Sequence, residues 1–142
     1  MNIVPGVLPL RVDRKFHLAA FVGTHAQILL RSGRSYYHDG HFPEHESVFD
    51  VLFKNVGAIA IWENFYPLEV AYASSAEIED FLRFQGGELG RRTLYTLRGA
   101  KQVGYVLASS MYWTDDPDGS VGEESILVEP TGRAAEIEVM EA

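Results

Sequence analysis

From residue 103 to residue 113 the chain reads VGYVLASSMYW, with Val103, Tyr105, Leu107, Met111 and Trp113 at alternate positions and Gly104, Ala108 and Ser110 between them. A period of two puts successive side chains on opposite faces, so this run predicts a long strand with one bulky face and one small one. The small face predicts close packing by a helix or a second sheet. The same alternation recurs at residues 68–73, LEVAYA. Further strands are expected at 26–32, 48–53, 58–62, 93–98, 125–129 and 134–140, about eight in all.

A single segment breaks this pattern. Ser74 and Glu77 have the spacing of a capping box, and Ile78, Phe81 and Leu82 then recur at helical intervals. Glu79 and Arg83 are spaced for an i, i+4 ion pair, and Gly86-Gly87 closes the segment. A helix is therefore expected around residues 75–85, placed over an open side of the sheets. Gly99-Ala100-Lys101 and Asp116-Pro117-Asp118-Gly119 read as hairpin turns. The expected fold is mainly β (α+β): an antiparallel β-sandwich or partly open barrel with one short helix, forming a single domain over residues 1–142.

Charge narrows the range of partners. Residues 1–114 hold 11 acidic and 11 basic side chains, whereas residues 115–142 hold 9 acidic and 1 basic one, so the whole net charge of −8 lies at the end. Phosphate neutralisation needs a positive stripe, and none is present, which argues against nucleic acid as a partner. The acidic end suits a basic protein partner. The chain contains no cysteine, which excludes thiolate metal ligation and disulfides. The start, MNIVPGVLPLRVDR, lacks a basic segment ahead of its apolar residues and is broken by Pro5 and Pro9. No signal peptide, no membrane span and a cytoplasmic location are the expectations.

One short string suggests an enzyme. HFPEH at residues 41–45 spells H-x-x-E-H, the inverted zinc-hydrolase pattern. That chemistry needs both histidines on one helical face, and Pro43 lies between them, where it costs about 3 kcal/mol in a helix interior. The pattern therefore reads as a loop. His38, His41 and His45 remain candidate metal ligands in that loop, with Asp39 or Glu44, or a further histidine from His17 or His25, completing a zinc site. Gly86-Gly87-Glu88-Leu89-Gly90-Arg91-Arg92 superficially suggests a phosphate cradle, but it follows a helix rather than preceding one. Asp115, Asp116, Asp118, Glu123 and Glu124 do not fit a calcium loop, since Thr114 and Ser125 fall where carboxylates are required. There is no G-x-S-x-G, and Ser109-Ser110 has no histidine near it in sequence.

No connected catalytic set emerges, and no catalytic residue or cofactor is assigned. The leading expectation is a non-enzymatic module that binds protein, including a second copy of itself, through its aromatic-rich sheets. Small acidic immunity proteins that neutralise toxins are a class analogy for it. The alternatives are a metal-dependent enzyme or metal-binding protein built on the His38, His41 and His45 loop, and a barrel that binds a small molecule in its interior.

Overall fold

The computed structural model describes residues 2–5, 7–22, 26–33 and 47–116. Within them, eleven strands and one helix follow in the order β1 (Asn2–Pro5), β2 (Leu10–Val12), β3 (Phe16–Val22), β4 (Gln27–Ser32), β5 (Val48–Lys54), β6 (Ala58–Ala60), β7 (Asn64–Phe65), β8 (Leu68–Tyr72), α1 (Ser75–Gln85), β9 (Thr93–Arg98), β10 (Val103–Ala108) and β11 (Ser110–Asp116). They form two antiparallel sheets, β1-β11-β5-β4-β3-β7 and β2-β8-β9-β10-β6. The sheets do not close into a barrel among the described residues, which agrees with the sandwich expected.

The inner faces meet in one apolar core. Phe16, Leu30, Val51 and Phe53 of the six-stranded sheet pack with Leu68, Val70, Leu97 and Val106 of the other, and all eight are completely buried. Each buried Phe or Leu contributes about 1.5–3 kcal/mol over its exposed state. The four outermost strands, β1, β2, β6 and β7, have only two to four residues each. Short edges offer little template for unwanted pairing.

The long strand expected at 103–113 is in fact two. Ser109 breaks it: β10 belongs to the five-stranded sheet and β11 to the six-stranded one. At this corner the Ser109 amide donates to the Lys54 carbonyl (3.0 Å), and Asn55 Nδ2 donates to Ser109 Oγ (2.6 Å). The switch also exchanges the faces. Val106 and Ala108 face the inter-sheet core on β10, whereas Met111 does so on β11, so Leu107 and Met111 serve different clusters. Close packing over the small face is present at Gly104, where a Cβ would lie 2.9 Å from the Ala60 carbonyl oxygen. The neighbour is the end of β6, neither a helix nor the opposite sheet.

Helix α1 has the expected limits. Ser74 accepts from the Glu77 amide and Glu77 accepts from the Ser74 amide, and Gly86 caps the end at φ +74°. Phe81 packs with Leu94 and Leu107, so the helix covers the outer face of the five-stranded sheet rather than an open side. The pair expected between Glu79 and Arg83 is replaced by Asp80 and Arg83 at i, i+3 (3.1 Å), an exposed contact worth no more than about 0.5 kcal/mol. Glu77 also accepts from Arg98 of β9. Burial opposes the Glu77 charge, but bonds from the Ser74 backbone, from Arg98 and from the Ser74 side chain outweigh it and hold the carboxyl below its usual range. A depressed carboxyl stabilises the fold above its unfolded pKa and loses that contribution as pH falls through its folded value. Ser74→Ala is expected to cost about 1 kcal/mol in urea unfolding and to raise the Glu77 pKa measured by NMR.

Candidate functional site

Four strands of the six-stranded sheet bring a polar row together. Because Phe16, Leu30, Val51 and Met111 point into the core, the residues of opposite parity, His17, Arg31, Asp50 and Thr114, share the outer face. The register places them side by side, His17 opposite Arg31, Arg31 opposite Asp50, and Asp50 opposite Thr114. Arg31 donates to both carboxylate oxygens of Asp50, from Nε at 2.8 Å and from NH2 at 3.1 Å. Arg31, Asp50 and Thr114 are all buried. Thr114 Oγ1 has no hydrogen-bond partner among the described residues.

A hydroxyl, a carboxylate and an imidazole in one row invite comparison with a nucleophilic triad. The geometry refuses it. His17 and Thr114 are three strand spacings apart, about 14 Å, far beyond the reach a base needs to its nucleophile. Asp50 is bound to Arg31, and the nearest member of the row to His17 is a guanidinium rather than a carboxylate. His17 is exposed at its surface, yet partial loss of solvation is the largest effect lowering its pKa; Arg31 and Lys15 lower it further against a raising effect of Asp50. Two cations beside it also make His17 a poor ligand for a metal ion.

A second polar cluster closes one end of the sandwich. Arg14, between β2 and β3, is buried and donates to Ser32 Oγ (3.1 Å), the Ser32 carbonyl (3.1 Å), the Gly33 carbonyl (3.2 Å), Ser47 Oγ (3.1 Å) and the Ser47 carbonyl (2.7 Å). One guanidinium thus joins the end of β4 to the residue that precedes β5. Its carbon lies 6.0 Å from the Phe49 ring centroid, and Phe49 stacks on Trp113 at 5.3 Å. The Asp115 carboxylate stands 4.0 Å from NH1.

The glycine-rich segment before β9 has a structural use. Arg92 Nε donates to the Asn55 carbonyl (2.9 Å) and NH2 to Asn55 Oδ1 (3.2 Å), bracing the corner where β5 leaves its sheet. Asn55 itself has φ +54°, in the left-handed region that Asn tolerates. Ser109 belongs to that same corner.

The histidines His38, His41 and His45 lie outside the described residues, as do Asp39, Glu44, His25 and the acidic positions beyond Asp116. Among the described residues no group of three or more His, Asp or Glu is arranged to hold a metal ion. No helix among them is long and apolar enough to cross a membrane. Of the aromatic residues expected to line a pocket or an interface, Tyr95 and Tyr112 are buried, whereas Tyr72 is exposed and stacks on Tyr95.

Four exposed large apolar residues fall on β3 and on the stretch from β6 to β7. β7 pairs with β3 only at Phe16 and His17, and the Leu18 amide then donates to the Glu63 carbonyl (3.0 Å). Among the described residues, 19–22 of β3 have no strand on their outer side. Leu18, Phe21, Ile59 and Trp62 are 37%, 57%, 40% and 61% exposed, which sets them apart from the buried faces of the sheets. Val7, Tyr72, Phe84 and Val103 are exposed as well, but each stands on a different element.

Comparisons with protein-family models, with curated proteins and with solved structures found no match.

Proposed function

We propose that the chain is a protein-binding module that uses the edge formed by β3 and the link from β6 to β7, and that its partners include a second copy of itself. The exposure of Leu18, Phe21, Ile59 and Trp62 carries this reading. Large exposed apolar side chains suit an association surface, and residues 19–22 of β3, which have no strand on their outer side among the described residues, suit strand addition. β3 holds no Lys, Arg, Asp, Glu or Pro, the residues that usually protect an edge from pairing.

Light scattering across a concentration series tests the proposal. The wild type is expected to associate, and Phe21→Lys combined with Trp62→Ser is expected to be monomeric with a melting temperature close to that of the wild type, since both side chains are exposed. Association should also shift Trp62 fluorescence to the blue. A wild type that stays monomeric, and that captures the same proteins from its native extract as the double variant does, sinks this reading.

A further inference from the structure

We propose that His17, Arg31 and Asp50 make β3 a pH-sensitive edge, in which protonation of His17 loosens β3 from β4. The effect on binding rests on reading the exposed apolar residues as an interface; the loosening itself does not.

The groups around the imidazole set the direction. On β4 Arg31 stands directly opposite His17, on β5 the Asp50 carboxylate is held by both arms of that guanidinium, and Lys15, just ahead of β3, lies two residues away along the chain. On the other side β7 presents Asn64, which is uncharged, with Glu63 exposed ahead of it. These are the facing groups among the described residues. Of the charged groups that act on the imidazole, Arg31 and Lys15 disfavour its protonation and Asp50 favours it. A proton on His17 adds a third cation while the anion remains committed to Arg31, so the repulsion falls between β3 and β4.

The ladder is also weakest at this place. The β3–β4 register shifts between Leu18 and Ala20, a bulge that follows His17 directly. Beyond the bulge β3 is held from one side only among the described residues, so loosening at His17 frees the half of the strand that carries Phe21. The sign agrees with the lowered affinity of His17 for its proton. A group whose pKa falls on folding stabilises the fold above its unfolded pKa and loses that contribution as pH falls towards the folded value.

The test is backbone amide exchange of residues 16–21 at about pH 7.5 and about pH 5.5, either side of the ordinary imidazole value, corrected for intrinsic rates. Wild type, His17→Asn and Lys15→Gln are compared, each also in the background of the Phe21→Lys, Trp62→Ser double variant, which is expected to be monomeric. The wild type should lose protection on acidification, about tenfold for each unit by which folding lowers the His17 pKa. His17→Asn should keep its protection. Lys15→Gln should raise the His17 midpoint followed by NMR. Equal protection at both pH values in the wild type, or an equal loss in His17→Asn, would overturn the switch. Acid-induced dissociation without any change in β3 exchange overturns it too, while leaving the interface standing.

Discussion

Arg31→Met with Asp50 left in place is expected to destabilise the fold by about 3–5 kcal/mol, the usual consequence of stranding a buried charge. For a chain of this size that is on the order of 10 °C in melting temperature. The expectation follows from the pairing itself: Asp50 is 2% exposed, and both of its oxygens accept from the guanidinium that the substitution removes. Removing the pair together is a different experiment. Arg31→Met with Asp50→Leu should recover most of the loss, because an apolar pair escapes the cost of desolvating two charges. Urea unfolding of the two single variants and the double variant yields the coupling directly. A cost below about 1 kcal/mol for Arg31→Met would show that Asp50 does not depend on Arg31.

Arg14→Met should be nearly as damaging. The guanidinium serves acceptors on Ser32, Gly33 and Ser47, and each buried acceptor left without a donor costs about 1–3 kcal/mol. A total of about 3 kcal/mol is expected, since some of these acceptors can turn to water. Arg14→Lys should recover little of it. A compact ammonium cannot reach from the end of β4 to the start of β5 with a planar fork of donors, and it stacks less well over Phe49. The loss should be local as well as global, with the Ser32 and Val48 amides exchanging earlier than those at the centres of β4 and β5. Equal melting temperatures for wild type and Arg14→Met would contradict this account of the sandwich end.

These two arginines show where sequence reading stops. β9 and α1 were legible because their signals are local: alternation over six residues, and a capping box three residues wide. The outer strands β1, β2 and β7 were not, because strands of two to four residues carry too little periodicity to stand out. The corner at Ser109 was hidden for a different reason. Alternation continues smoothly through it, and only the tertiary contacts with Lys54 and Asn55 show that the chain changes sheets there.

The polar row was illegible in principle. His17, Arg31, Asp50 and Thr114 come from four strands, and only the register makes them neighbours. One signal was present: Arg31 and Asp50 each interrupt a run of apolar residues, ILLRS and VFDVLF, and a charge inside such a run needs a partner. His38, His41 and His45, by contrast, stand out in the sequence because they lie close together in it. The exposed apolar residues had the opposite fate. Phe21 and Trp62 read only as strand residues, and it is their exposure in the structure that singles them out for the proposed binding role.

The most direct test of that role is amide exchange on the associated protein. Exchange is followed at low and high concentration, at a pH where His17 is neutral. If β3 is the interface, protection should rise with concentration at residues 18–22 and around Trp62, and stay constant on α1 and β8. Association that leaves residues 18–22 unchanged, or that protects α1 instead, would contradict the assignment of this edge as the binding surface.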